Sequence, residues 1–280
     1  MTSHPSDIRL LCPACRSPLD ATLGCPGCST RFERDPCSNV IRLERGQDAK
    51  REEAVSPWDE RWAGEPLELT EGLRTRLDQR RWLVDPGHVS RRVLDLGAGT
   101  GFNVVLLDSG RIDLYVGVDL SIAGLRRASR LLSSARIPHV LLCCDASRHI
   151  PLEGRFDTIL SFGFLYQFDH YRELFEAILD VHAGVGARVY GAEPVQAVGS
   201  PSRVRRSDFL RLLRSRGAVD AYFMEGLVHR VAHKVSHPRW LRRSSALWTA
   251  RSAALTPFAR YLQYALKVNE AGGAPRARAR

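Results

Sequence analysis

Two sets of residues in this chain are spaced for chemistry. The first is Cys12-Pro-Ala-Cys15, nine intervening residues, then Cys25-Pro-Gly-Cys28. A C-x-x-C turn presents two sulfurs on one side of a tight knuckle, and two knuckles complete a four-fold thiolate shell, the ligand set of structural zinc. Pro13, Pro26 and Gly27 suit such turns. A stretch of about 40 residues buries too little core to fold unaided, so a structural Zn2+ on Cys12, Cys15, Cys25 and Cys28 would supply the folding free energy. Iron is the rival on ligand type. Disulfides do not suit a sequence whose first residues lack a charged start followed by a long apolar stretch. Of the other cysteines, Cys143 and Cys144 fall in a strand-like run, where buried structural cysteine is the simpler role.

The second set begins with Val93-Leu94-Asp95-Leu96, then Gly97-Ala98-Gly99-Thr100-Gly101. A short apolar strand running into a glycine turn lets a ligand approach the main chain closely. Leu114 to Asp119 reads as the next strand, and its terminal carboxylate, about 20 residues after Gly99, is placed to bond the two hydroxyls of a ribose. The nicotinamide-type fingerprint G-x-G-x-x-G is not met, because Phe102 stands where its third glycine belongs. The turn therefore suits an uncharged or cationic cofactor tail better than a pyrophosphate.

The elements that must position these groups alternate strand and helix. Phe102–Leu107 has the apolar content of a helix packing back on the sheet. Strands are expected at His139–Cys144, ending beside Asp145 and Ala146, at Arg155–Ser161, running to Phe162, and at Arg188–Glu193. Leu174, Phe175, Ile178, Leu179 and His182 give a helix over Tyr171–His182, followed by a turn at Ala183–Gly186. Ser207 is placed to cap a helix that Gly217 ends. Ala218–Met224 and Arg260–Val268 complete the strands.

VLDLGAGTG, VGVDLS, CDAS and FDTILSFGFLYQF, in this order, closely resemble the successive motifs of class I S-adenosylmethionine-dependent methyltransferases (type 11-like), over roughly residues 88–195. The resemblance implies an α/β fold, a Rossmann-like seven-stranded sheet with helices on both faces, and S-adenosylmethionine as cofactor. Carried over, Asp95, Gly97 and Gly99 hold the methionine part, with Ala98 and Gly101 completing the loop. Asp119 binds the ribose, Leu120 lies beside the adenine, Asp145 and Ala146 recognise the adenine edge, and Phe162 lies near the reactive methyl. Gln167 stands where family members often have His, and Ala183–Gly186 where they often have Pro-Gly-Gly. The segment from Leu10 to Leu43 resembles the small zinc ribbons found with methyltransferases. Some of these are separate activator subunits, and others are fused at the N-terminus, as in rRNA guanine-N1 enzymes.

These readings divide the chain into a zinc ribbon (1–46), a helical linker or substrate cover with Trp58 and Trp62 (47–87), a methyltransferase domain (88–269) with an insertion near 226–258, and a disordered basic tail (270–280). Residues 200–280 hold 17 of the 41 basic but only 4 of the 31 acidic residues, a net of +13, so the remainder carries −3 of the overall +10. Such segregation suits an anionic partner, RNA or a lipid surface. Only three of the basic residues are lysines, an arginine bias of the kind GC-rich genomes produce, which accounts for arginine over lysine but not for the segregation. His229, His233 and His237 would share a helix face that Pro238 ends. They could form a metal site, or the insertion could be a basic lid whose Trp240 and Trp248 meet a membrane or an apolar substrate. No run of about 18 apolar residues suggests a membrane span, and a cytoplasmic location is expected.

In-line methyl transfer needs a general base only when the acceptor is protonated. Tyr166, Gln167 and His170 are the candidates beside the fourth strand, with Glu193 at the end of the fifth. The expected acceptor is a small molecule: a metabolite, quinone, lipid or natural product. The chain has no Asn-Pro-Pro-Tyr or Asp-Pro-Pro-Tyr motif, and Ser161-Phe-Gly-Phe164 stands there instead. An RNA acceptor, favoured by the ribbon and the basic C-terminus, is the alternative. A non-catalytic cofactor-binding scaffold is a further one, and a protein partner on the ribbon is compatible with each.

Overall fold

The computed structural model describes residues 8–43, 59, 60, 62, 77, 80, 81, 83–85, 87–147, 149–195, 202, 204–224 and 261–269. They fall into two compact units. The first takes in the described residues up to Leu160 together with Glu173–Gly184, and the second takes in Ser161–Arg172 and the described residues from Val185 on. The insertion, its three histidines, Trp58 and the basic tail lie outside the described residues.

In the first unit the strands are β1 (Arg9–Leu10), β2 (Glu33–Arg34), β3 (Ile41–Arg42), β4 (Arg92–Leu96), β5 (Leu114–Asp119), β6 (His139–Cys143), β7 (Leu152–Glu153) and β8 (Phe156–Phe162, whose last two residues belong to the second unit). Their sheet order is β8-β4-β5-β6-β3-β2, with β1 and β7 forming a separate antiparallel pair. The β4–β5, β5–β6 and β6–β3 pairings are parallel. Val93, Leu94, Leu96, Val116, Val118, Leu142, Ile159 and Leu160 have no exposed surface. Continuous apolar runs of this kind are what strands covered on both faces require, and each such side chain contributes roughly 1.5–3 kcal/mol on burial.

Helix α1 (Ile122–Ser134) buries Leu125, Ala128 and Leu132 at helical spacing, and Ser121 caps it by accepting from the N–H of Gly124. It stops at Arg136, whose φ of 55° no helix can continue. Helix α2 spans Tyr171–His182 as the apolar spacing predicts, with Leu174, Phe175, Ile178, Leu179 and His182 buried. In the second unit, β9 (Ala183–Pro194, whose first two residues belong to the first unit), β10 (Gly217–Met224) and β11 (Tyr261–Val268) form the order β10-β11-β9, antiparallel throughout, with helix α3 (Arg206–Arg216) before β10. Its centre is an edge-to-face stack, Tyr171–Phe209 at 5.9 Å and Phe209–Tyr264 at 5.3 Å.

Three local expectations are corrected. Phe102–Leu106 is a 3-10 helix rather than an α-helix. Extended backbone begins at Ala183, not after a turn, and Gly186 at φ 69° takes up the change of direction as a bulge would, while pairing with β11 covers only Arg188–Pro194. Helix α3 starts two residues earlier than a Ser207 cap implies: Arg205 is the capping position, and its carbonyl accepts from the N–H of Phe209. The N–H of Phe209, whose buried ring stands in the aromatic stack, closes the first turn on Arg205, so Ser207 lies inside the helix. Among the described residues no helix is long and apolar enough to cross a membrane.

Candidate active site and metal centre

The glycine turn after β4 is shaped by backbone geometry that only glycine adopts freely. Gly97, Gly99 and Gly101 have φ of 64°, 49° and 76°. The N–H of Ala98 donates to the carbonyl of Val118 at 3.1 Å, so the turn is tied to the end of β5. Asp119, half-buried there, accepts from the N–H of Gly99 (2.8 Å) through one oxygen and from the N–H of Ser121 (2.7 Å) through the other. Burial raises its pKa, and these N–H donors oppose the rise. A carboxylate has about four acceptor sites, so a pinned Asp119 retains capacity for a vicinal diol.

Asp95 faces inward. It has no exposed surface, and accepts from Tyr115 Oη at 2.5 Å and from Asn103 Nδ2 at 3.2 Å. Arg80 donates to Asn103 Oδ1 at 2.8 Å, extending the network. Burial pushes the Asp95 carboxyl up to about 7, against the pull of Tyr115 and Asn103. Beyond β6, both Asp145 oxygens are engaged by Ser147, one by its N–H and one by its hydroxyl, each at 2.8 Å. Ala146 beside it is buried and Leu120 half-buried, its carbonyl 3.4 Å from Cys143 Sγ. The structure thus brings Gly97–Gly101, Asp119 and Leu120 together at the ends of β4 and β5. Asp145 and Ala146 follow at the end of β6, where Cys143 is in register with Asp119.

Motif reading did not single out Asp59 among the groups on this turn. Its carboxylate accepts from Ser121 Oγ (2.5 Å) and the N–H of Ala123 (3.1 Å), completing the cap of α1. The ring of Trp62 lies against the turn: a Cβ added to Gly99 would meet it at 3.2 Å, and one added to Gly124 likewise. Asp59 and Trp62 sit three apart, one helical turn, in the segment expected to cover a pocket.

In the second unit, Phe162 is nearly buried, Tyr166 half-buried, and Gln167 and His170 exposed. Gln167 Nε2 donates to the carbonyl of Gly163, and the His170 ring lies 5.9 Å from that of Phe168. Glu193 has no exposed surface. It accepts from Ser161 Oγ (3.0 Å) and from the N–H groups of Phe164 and Tyr166 (both 3.3 Å), so it holds the short 3-10 turn Leu165–Gln167. Burial pushes its carboxyl up to about 7, while the backbone and Ser161 donors oppose this. Gly191 is obligatory nearby, since a Cβ there would sit 2.3 Å from the Tyr264 ring.

The four cysteines of the N-terminal segment converge, with their sulfurs all within 4.8 Å of one another. Cys12 and Cys28 sulfurs are 3.6 Å apart and Cys15 and Cys25 sulfurs 3.3 Å. Tetrahedral zinc with bonds near 2.3 Å spaces its sulfurs by about 3.8 Å, so the set fits a zinc ion. The two knuckles repeat one design. The N–H of Arg16 donates to the Cys12 carbonyl and that of Ser29 to the Cys25 carbonyl, with φ of 63° and 57° at these two residues. Cys15 Sγ lies 3.5 Å from Ser17 Oγ and Cys28 Sγ 3.2 Å from Thr30 Oγ1, and these contacts pull both thiols toward the ligating thiolate form.

Residues 93–186 match the family model described as a methyltransferase domain. By this match, residues 93–186 are a methyltransferase domain. Solved structures share the fold of this domain. Haemonchus contortus phosphoethanolamine N-methyltransferase 2, in complex with S-adenosyl-L-methionine, is 16% identical with a TM-score of 0.50, and the alignment covers 80% of this chain but only 59% of the worm protein. The N-methyltransferase NodS from Bradyrhizobium japonicum, with S-adenosyl-L-homocysteine, is 13% identical (TM-score 0.52, 76% of this chain and 97% of NodS). A chain of the Haloferax volcanii complex between the Trm112 methyltransferase activator and a methyltransferase is 16% identical (TM-score 0.53, 76% and 98%). No curated protein sequence matches the chain.

Proposed function

We propose that this protein transfers the methyl group of S-adenosylmethionine to a small-molecule nucleophile. The observation that carries the cofactor half is Asp119, a strand-end carboxylate pinned by the Gly99 and Ser121 N–H groups with acceptor capacity to spare. The cofactor, when bound, supplies an electrophilic methyl on a sulfonium. Asp119 would accept from both ribose hydroxyls, and Gly97, Ala98, Gly99 and Gly101 would let the methionine part lie against bare backbone. Leu120 and Ala146 would flank the adenine, and Asp145, with oxygens already oriented by Ser147, would accept from its amino edge. Asp95 would act on the methionine part from beneath, by fixing the turn through Tyr115 and Asn103. By the family resemblance, Phe162 is assigned to the methyl and Tyr166, Gln167 and His170 to the acceptor, and Trp62 would cover the turn as part of the 47–87 segment. The zinc ribbon is assigned to 1–46 and the methyltransferase domain to 88–269.

The small-molecule reading is favoured by Ser161-Phe-Gly-Phe164 in place of the proline-rich motif of base-nitrogen enzymes, and the Haemonchus relative is named for a small phosphorylated amine. RNA is the second reading, favoured by the ribbon and by the +13 charge of residues 200–280. Labelled S-adenosylmethionine incubated with a fractionated cell extract decides between them: label in the organic or small-molecule fraction supports the first, and label in RNA overturns it. Asp119→Ala is expected to weaken S-adenosylhomocysteine binding roughly 10- to 100-fold by calorimetry. Unchanged affinity would remove Asp119 from the site.

A further inference from the structure

The cysteine ribbon pairs with strands of the methyltransferase domain at two places that bracket one loop, once in the main sheet and once in the separate β1–β7 pair. Before the loop, β3 adds in parallel to β6, with Ile41 opposite Leu142 and Arg42 opposite Cys143, and the N–H of Leu43 donates to the Cys143 carbonyl at 2.9 Å. After the loop, β1 pairs with β7, Arg9 opposite Glu153 and Leu10 opposite Leu152, and the N–H of Leu11 donates to the Pro151 carbonyl at 2.9 Å. Leu11 adjoins the first cysteine ligand. Val40, Ile41 and Leu43 are buried. A third tie reaches α1: Asp35, itself buried, accepts from Arg126 Nη2 at 2.5 Å and from Nε at 3.1 Å, and is oriented by the Ser38 hydroxyl and the Cys37 N–H. Without β3, the β6 backbone at Leu142 and Cys143 would be an unpaired sheet edge.

We propose that the ribbon is a positioning element of the cofactor site: by gripping β6 and β7 it holds the intervening loop, with Asp145 and Ala146, in its binding conformation, and metal loading of the ribbon therefore sets cofactor affinity. This rests on the reading of Asp145 and Ala146 as the adenine contact. The physical link is contiguous. The cysteine shell fixes where β1 and the Asp35–Leu43 segment leave the ribbon, and those strands fix both stems of the loop. The linkage is reciprocal, so bound cofactor should slow metal loss to a chelator.

The test is calorimetry of S-adenosylhomocysteine with the zinc-loaded full chain, alongside zinc content and amide exchange. Asp35→Asn and Arg126→Gln leave the four cysteines intact. Both should keep stoichiometric zinc, speed exchange in the β3 and 144–151 peptides, and weaken binding at least roughly fivefold. Leu43→Pro, which deletes the N–H given to Cys143, should do the same through the backbone. Chelated wild-type protein should bind more weakly and recover on zinc addition. Binding within about twofold of wild type in variants whose β3 exchange has risen would overturn the proposal. Failure of the zinc-loaded wild type to bind would instead overturn the cofactor reading itself. Unchanged binding in Asp145→Ala would overturn the adenine assignment and this inference with it.

Discussion

Asp95 and Glu193 are both carboxylates without exposed surface, both pushed up to about 7 by burial, yet the regions around them are built differently. Asp95 is held by side chains, the Tyr115 hydroxyl and the Asn103 amide, and it stiffens the strand that enters the glycine turn. Glu193 is held by the Ser161 hydroxyl and by main-chain N–H groups, those of Phe164 and Tyr166, and it shapes a turn about 30 residues away in sequence. A side-chain partner can be deleted singly. A main-chain donor cannot, so loss of Glu193 leaves several buried N–H groups without an acceptor.

The largest effect is therefore expected at Glu193. Glu193→Ala should lower unfolding free energy by roughly 3–5 kcal/mol in urea titrations, since two N–H groups and a hydroxyl lose their acceptor together. A loss below about 1 kcal/mol would mean that the turn finds other acceptors, and the contrast with Asp95 would fail.

The pH dependence sharpens the same contrast. Each carboxyl has a folded pKa near 7, above the ordinary 3.8 for Asp and 4.5 for Glu. Between those values the folded state holds protons that the unfolded chain has released. Stability from these groups is therefore full below about pH 4 and lost as pH rises through 7. His182 works in the opposite direction. Burial lowers it to about 4, so its contribution is lost as pH falls from 6.5 to 4. Glu193→Gln removes only the first dependence at one site, so its destabilisation should shrink by roughly 1–3 kcal/mol between pH 5 and pH 7. A pH-independent difference would show that Glu193 is ionised in the fold throughout.

Tyr115→Phe should be the mildest, about 1–2 kcal/mol, because Asp95 keeps Asn103. Asn103→Ala should cost a similar amount, and the double variant more than the sum, since the carboxyl is then left with neither donor. Additivity would show that the two contacts act independently.

The legible parts of this molecule were those written in contiguous residues. The glycine turn, the strand ending in Asp119, the helix from Tyr171 to His182 and the two cysteine knuckles each rest on spacing within a few turns of chain, and each lies where the spacing places it. The missed parts needed distant partners. Helix α1 has a cap and an apolar spacing that could have been read, but Asp59, which completes its cap, is 62 residues from Ser121. The first turn of α3 closes on the Arg205 carbonyl, and a local preference for serine at the cap does not report this.

Sequence alone determined that a class I sheet with a glycine turn forms, and that four thiolates converge on one metal-sized space, because both depend on local backbone geometry and residue type. Tertiary structure decided that Asp95 turns inward to a buried network while Asp119 keeps free acceptor capacity. Both are strand carboxylates within one motif set, and only the surroundings of each, dry for one and half-open for the other, separate their roles. It also decided that the ribbon pairs with β6 and β7, since sheet edges join through main-chain groups that every residue carries and no side-chain pattern announces.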